Sequence, residues 1–282
     1  MTFVALITGA SSGIGEATAR RLAREPDVRL VLVSRREERL EALADELGGP
    51  ARASALAVDL TEPGSAARVL ETIRREHGAL HMLVNNAGAA WRGRFGETGW
   101  ANIERHMKLD FEAPARLTEA LLPLLRETAA AVRLDTSARA EGSGAGASRR
   151  VCIVNVASTA SRVSRPGSGA YSAAKFALAG WSDALWAEER DHGVHVGLVL
   201  PGFVATEGFP AGELLARART RWLVSSPDVV AEAIMAAGPG GRPERYAPRY
   251  YWIFAALRIL VPGLVRRSVA GGGMTPATRP GE

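Results

Sequence analysis

The opening of this chain limits its fold more than any other stretch. Phe3 to Ile7 is a short apolar run suited to a buried strand. It breaks into Thr8-Gly9-Ala10-Ser11-Ser12-Gly13-Ile14-Gly15, and a helical pattern follows from Glu16 to Arg24. Strand, glycine-rich turn and helix, in that order, form a cradle for phosphate. Gly9 permits a tight turn, Gly13 lets the backbone approach a pyrophosphate, and Gly15 allows close packing of the helix. The helix N-terminus presents N–H groups that lack intrahelical partners and attract an anion. The spacing is Gly-x-x-x-Gly-x-Gly, and a plain glycine-rich turn is the alternative. The strand before it and the helix after it favour a nucleotide loop that includes Ser11, Ser12 and Ile14.

The pattern repeats along the chain. Leu30 to Val33 reads as a second strand ending in Ser34-Arg35-Arg36, before a charged helix from Glu37 to Leu47. A dinucleotide site selective for NAD offers a carboxylate here to the ribose 2′-hydroxyl, whereas a guanidinium pair can fork onto a 2′-phosphate. The expected cofactor is therefore NADP(H) in preference to NAD(H). Ala53 to Val58 is a third strand, ending at Asp59-Leu60-Thr61 ahead of a helix from Pro63 to His77. Leu80 to Val84 is a fourth, ending in Asn85-Asn86-Ala87-Gly88. Trp100 to Leu125 is helical in pattern, Val151 to Val154 and His195 to Leu200 are further strands, and Pro201-Gly202 turns the chain after the last. Such alternation implies an α/β fold with a doubly wound parallel sheet covered by helices on both faces.

At 282 residues and 47% hydrophobic content the chain can bury the core of one such domain, expected over residues 1–267. Residues 135–149, rich in Ala, Gly, Ser and Arg, read as a mobile surface insertion, and 268–282 as a disordered tail. The one cysteine, Cys152, excludes an intramolecular disulfide framework; with no basic leader before Ile7, a cytoplasmic location is expected. The net charge of +5 comes from arginines interleaved with glutamates, as in Arg35-Arg36-Glu37-Glu38-Arg39. That pattern describes a solvated surface and argues against nucleic acid.

Chemistry enters at Tyr171-Ser172-Ala173-Ala174-Lys175. On a helix these two side chains stack on one face, one turn apart. A nearby ammonium favours phenolate, so a phenol pKa ordinarily near ~10 is expected to move toward working pH. The only lysines in the chain are Lys108 and Lys175. Tyr-x-x-x-Lys alone arises often by chance, so its weight depends on the surrounding motifs.

Those motifs together resemble the short-chain dehydrogenase/reductase family over roughly residues 2–235. The resemblance rests on Thr8 to Gly15, Asn85-Asn86-Ala87-Gly88, Ser158 with Tyr171-x-x-x-Lys175, and Pro201-Gly202-Phe203-Val204-Ala205-Thr206, which occur in that order. It implies a Rossmann-type sheet of order 3-2-1-4-5-6-7, an NADP(H)-dependent oxidoreductase acting on a carbonyl or alcohol, and a homodimer or homotetramer. It also implies residue roles. Tyr171 would be the general acid or base, Lys175 would hold the nicotinamide ribose, and Ser158 would donate to the substrate oxygen. Asp59, beside Leu60, would contact adenine. Asn86, Ala87 and Gly88 would line the ribose and nicotinamide path, and Pro201, Gly202, Val204 and Thr206 would hold the carboxamide. The family usually places an asparagine at the position of Asp110, where it helps hold a water linked to the lysine. Asp110 would favour the charged lysine and partly cancel its field on Tyr171, unless it faces away. His81 stands where an aspartate is usual and reads as structural.

The last third departs from the family pattern. No glycine-rich closing strand is visible after Leu223, and an apolar helix is expected over 250–265. It is too short to span a bilayer. Packing on the domain, as a pocket cover or oligomer contact, is the favoured reading, with peripheral membrane contact as the alternative. Trp91, Phe203, Phe209 and Trp222 point to a lipophilic substrate. An epimerase or dehydratase on the same scaffold, or a nucleotide-binding regulator without turnover, are the rival functions.

Overall fold

The computed structural model describes residues 2–140, 150–209, 211–216 and 220–270, without the side chains of 136–140 and 213. Seven strands form one parallel sheet: β1 (Phe3–Thr8), β2 (Val28–Ser34), β3 (Ala53–Ala57), β4 (Met82–Asn85), β5 (Cys152–Val156), β6 (His195–Pro201) and β9 (Glu244–Ala247). Two-residue strands β7 (Phe203–Val204) and β8 (Val224–Ser225) pair with each other apart from it. The order in space is β3-β2-β1-β4-β5-β6-β9, the doubly wound arrangement expected from the sequence. The seventh strand is Glu244-Arg245-Tyr246-Ala247, which has no glycine and escaped the sequence reading.

The central strands are largely apolar because both faces are covered. Phe3, Ala5 and Ile7 of β1 meet one core, and Val4 and Leu6 meet the other. Helices α1 (Gly13–Leu22), α2 (Glu37–Glu46) and α8 (Pro227–Ala237), the last of them following the short α7 (Gly212–Ala216), close the first face. Helices α3 (Ser65–Glu76), α5 (Ala113–Ala140) and α6 (Gly169–Glu189) close the second. Full burial of a Leu, Ile or Val stabilises the fold by about 1.5–3 kcal/mol, so these two layers carry most of the driving force. His81 sits between them as a structural residue. Its Nδ1 accepts from the Val4 N–H at 3.2 Å, and burial lowers its pKa.

Three boundaries differ from expectation for identifiable reasons. Helix α3 starts at Ser65 rather than Pro63, because Asp59 Oδ1 accepts from the N–H and hydroxyl of Thr61 at 2.9 and 2.7 Å and holds a turn there. The long pattern from Trp100 divides into α4 (Phe95–Met107), a π-turn (Lys108–Glu112) and α5. Helix α5 continues to Ala140, so the first residues of the expected insertion are helical. Residues 141–149 of that insertion lie outside the described residues.

At the C-terminal end, Pro262 divides the expected helix into α9 (Trp252–Leu260) and α10 (Pro262–Ala270). Residues 268–270 are thus helical, and 271–282 of the expected tail lie outside the described residues. Tyr251 and Ala255 are packed on the domain, whereas Trp252, Ile253, Leu257, Ile259 and Leu260 are exposed. At ~3.6 residues per turn those five cover one arc of α9.

Helices α5 and α6 are clamped by a forked ion pair. Arg126 Nε and Nη2 donate to Glu189 Oε2 and Oε1 at 2.8 and 2.6 Å, and Glu189 is only 1% exposed. Replacing the guanidinium strands a carboxylate in a dry site. Arg126→Met is therefore expected to lower stability by about 2 kcal/mol, read from the midpoint of urea unfolding at constant slope.

Candidate active site

The carboxyl ends of β1, β4, β5 and β6 converge on one edge of the sheet, where strand order reverses between β1 and β4. A cleft of about 530 Å³ opens there. Its walls bring together Gly9, Ser11, Ser12, Gly13 and Ile14 from the glycine loop, Ser34, Arg35 and Arg36 after β2, and Asp59 and Leu60 after β3. Asn86, Ala87, Gly88 and Thr206 complete it. Gly15 lies beneath the loop, where an added Cβ would sit 2.2 Å from the Gly9 carbonyl oxygen. Gly9 has φ of 66°, so a side chain there would be strained as well as crowded. Thr8 fastens the two strand ends: its Oγ1 accepts from the N–H groups of Asn86 and Ala87, each at 2.9 Å.

The arginine pair is not symmetrical. Arg36 Nε donates to Ser11 Oγ at 3.0 Å, and its Nη1 pairs with Glu207 Oε2 at 3.1 Å. Arg35 is 75% exposed and lies 3.7 Å from Asp59 Oδ2. Burial pushes the Asp59 carboxyl up, but hydrogen bonds from Thr61 and the charge of Arg35 outweigh it and hold it below the ordinary value. Glu207 was missed by sequence reasoning, since nothing in the chain's order links it to Arg36 and Arg39. A cleft that joins a glycine loop, two guanidiniums and the carboxyl ends of β1, β2, β3 and β4 fits a dinucleotide.

A second cavity of about 220 Å³ adjoins the first, sharing Ile14, Asn86, Gly88 and Thr206. Ser158, Tyr171, Lys175, Asp110, Pro201, Gly202 and Val204 all line it. Tyr171 and Lys175 stand one turn apart near the start of α6, with the ammonium 5.8 Å from the phenol ring centre. Lys175 Nζ lies 3.3 Å from Asp110 Oδ1 and donates to the Val156 carbonyl at 3.1 Å. The π-turn aims Asp110 inward, and its other oxygen lies 2.8 Å from His106 Nδ1. His106 Nε2 in turn is 3.1 Å from the Trp91 carbonyl. His106 and Asp110 are both fully buried. Gly88 is a glycine because a Cβ would come within 2.5 Å of Asp110 Oδ1 and 3.3 Å of Lys175 Nζ. Asp110 thus faces the lysine.

The electrostatics depart from the simple expectation for Tyr171. Burial is the largest influence and pushes the phenol up; Lys175 pulls it down, Asp110 pushes it up again, and Ser158 and Arg165 pull it down by less. The net position is above the ordinary phenol value rather than displaced toward neutrality. Burial alone would lower Lys175, but Asp110 and Tyr171 together raise it, so the ammonium stays charged. Asp110 therefore secures the lysine's charge and weakens that charge's hold on the phenol.

Of the four aromatic residues expected at the pocket, two line the cavity. Phe203 and Phe209 line it, stacked at 5.4 Å, but Trp91 packs on His106 and Trp222 stands outside, half exposed against Tyr250. Two guanidiniums enter instead, Arg92 over Phe209 and Arg165 over Phe203. Neither belongs to a motif, although the segments 89–94 and 159–169 that carry them are ones the sequence suggests as pocket walls.

A nucleotide cleft at the switch point of a doubly wound sheet, continuous with a cavity holding tyrosine, lysine and serine, defines a dinucleotide-binding oxidoreductase scaffold. The family model "short chain dehydrogenase" matches residues 3–211. A bovine relative, dehydrogenase/reductase SDR family member 7B, is 31% identical over 95% of this chain and 80% of its own. The crystal structure of a metagenomic short-chain oxidoreductase in complex with NADP superimposes with a TM-score of 0.63 at 29% identity, covering 83% of this chain and 89% of that one. One from Burkholderia phymatum in complex with NAD shares the fold, with a TM-score of 0.74 at 22% identity over 99% and 98% of the two chains. This chain belongs to the short-chain dehydrogenase/reductase family.

The buried His106 provides a direct check on the network. His106→Phe removes the ring nitrogens that face Asp110 Oδ2 and the Trp91 carbonyl, of which only the carbonyl keeps another bond, from Asn102 Nδ2 at 3.4 Å, so a loss of about 1–3 kcal/mol is expected in chemical unfolding. His106→Gln, which can still donate, should recover part of it.

Proposed function

We propose that the protein is an NADP(H)-dependent oxidoreductase that interconverts a carbonyl and the corresponding alcohol. The observation that carries this reading is the convergence of Tyr171, Lys175 and Ser158 on one cavity that opens onto the nucleotide cleft. A bound nicotinamide cofactor would supply or accept the hydride. Tyr171 is the acid in reduction: a phenol held neutral by burial has a proton to give to the carbonyl oxygen as negative charge develops. Ser158 sits beside it at the end of β5 and hydrogen-bonds the same oxygen. Its Oγ accepts from the Ala160 N–H at 3.1 Å, and its hydroxyl also hydrogen-bonds the Tyr171 phenol, which directs it to the place where the substrate oxygen would sit.

Lys175 has two roles in this reading. Its charge stabilises the phenolate left after proton transfer, and its ammonium reaches the ribose side of the cleft. Asp110 keeps it charged in a site where burial works against an ammonium. His106 fixes Asp110 in that orientation. The preference for NADP(H) is supported by Arg35 and Arg36 at the end of β2, where no carboxylate follows Ser34. The likeness to an NADP-bound short-chain oxidoreductase agrees with it, and the likeness in fold to an NAD-bound protein makes it worth testing. The exposed arc on α9 offers one surface for a homo-oligomer contact.

Tyr171→Phe should retain NADPH binding, followed by fluorescence, while carbonyl reduction falls by about 10²- to 10⁴-fold. Undiminished reduction would remove the tyrosine from the mechanism. Arg35→Ala and Arg36→Ala should each weaken NADPH about tenfold more than NADH in equilibrium binding, and equal losses would contradict the cofactor assignment.

A further inference from the structure

We propose that Arg92 and Arg165 form a receptor for an anionic oxygen group, so that the carbonyl substrate carries a carboxylate or a group of the same chemistry. The inference takes the position of the reacting carbonyl from the hydride-transfer reading, while anion capture itself stands on the cavity alone. Arg92 and Arg165 both line the cavity that holds Ser158 and Tyr171. Both are half-buried. Their guanidinium carbons lie 4.9 and 4.6 Å from the ring centres of Phe209 and Phe203, which are themselves stacked. The four side chains form one unit, with two cations borne on an aromatic pair.

Neither guanidinium has a carboxylate partner among the described residues. The acid in the cavity, Asp110, is taken up by Lys175, His106 and the Ala89 N–H. Burial lowers the pKa of both arginines, and for Arg165 the charge of Arg92 adds to that. Two like charges drawn together out of water, without a counter-charge, are costly to hold, and a ring face offsets only part of that cost. The backbone nevertheless fixes them there. The loop bearing Arg92 is tied to the loop bearing Arg165 by the Gly93 N–H to the Gly167 carbonyl at 2.9 Å. Ser168 closes the second loop by donating its N–H and its hydroxyl to the Arg165 carbonyl, at 3.1 and 3.0 Å. An oxyanion bound between the two forks supplies the missing charge, and planar guanidiniums match carboxylate oxygens in pairs.

The test uses aryl oxo-carboxylates in which one to four carbons separate carbonyl and carboxylate, each paired with its methyl ester, and a matching phosphonate series. Against the full-length protein with NADPH, at least one oxyanion should exceed its ester by about tenfold or more in kcat/KM. Which series wins identifies the oxyanion. Arg92→Met and Arg165→Met, checked for folding by NADPH binding, should bring the ratio of acid to ester to about one. No preference for an oxyanion at any spacing in the unmodified protein would overturn the proposal, as would a preference that survives both substitutions. Should no compound be reduced, calorimetric titration of the same acids and esters into the NADP complex decides separately. Selective binding of an acid would keep the receptor and reject the hydride-transfer reading, and equal binding of acid and ester would reject the receptor.

Discussion

A lysine taken out of water needs a counter-charge, and much of this site is arranged around meeting that need. Lys175 is almost completely buried, at 4% exposure, and burial alone would lower its pKa. Asp110 supplies the opposing charge at 3.3 Å, but only because the π-turn between α4 and α5 rotates it inward. A regular helix through Lys108–Glu112 would space its side chains differently, and π-turns recur where a helix must re-aim one residue. The same carboxylate then requires Gly88 to lack a side chain and His106 to cap its second oxygen. Strand β4, helix α4 and helix α6 are thereby held to one another through a single acid.

Much of the architecture was legible in the chain itself. The glycine loop, the apolar strands and the intervening helices each obey a local rule, and local rules survive folding when every element agrees with them. Gly9, Gly13, Asp59, Asn86, Ser158 and Thr206 all reached the clefts to which their motifs assigned them. What stayed hidden was set by distance in sequence. His106 differs from any other histidine on a helix only once Trp91 and Asp110 close around it, and Arg92 meets Arg165 across more than seventy positions. Trp91 and Trp222 were misplaced for the same reason, because both looked like wall residues until the loops had been placed. Strand β9 was missed because Glu244 to Ala247 is short and half polar, and it pairs only because β6 leaves an edge beside it.

At the phenol, the sequence brings out a pair but not the whole field that acts on it. The spacing of Tyr171 and Lys175 identifies the pair, but a pKa is the sum of all charges and of lost solvent. Burial and Asp110 outweigh the lysine. The result suits a group that gives up a proton more than one that waits as its conjugate base. Two further guanidiniums, at Arg92 and Arg165, add to the positive side of the cavity, and Arg165 also lowers the phenol. In the proposed function, charge that binds the substrate thus bears on the acid that acts on it.

The bond between His106 and Asp110 also limits how this sequence can drift. Relatives in the family usually carry an asparagine at the position of Asp110, and a lineage moving between the two arrangements would pass through a form in which one partner has changed and the other has not. That intermediate would hold a buried histidine or a buried carboxylate short of a partner, at a cost of about 1–3 kcal/mol out of a total stability of roughly 5–15 kcal/mol. Loss of the histidine beside an aspartate is the costly order, since an asparagine at 110 can still bond the ring nitrogen. Among sequences derived from this one, an aspartate at 110 should foretell a donor at 106.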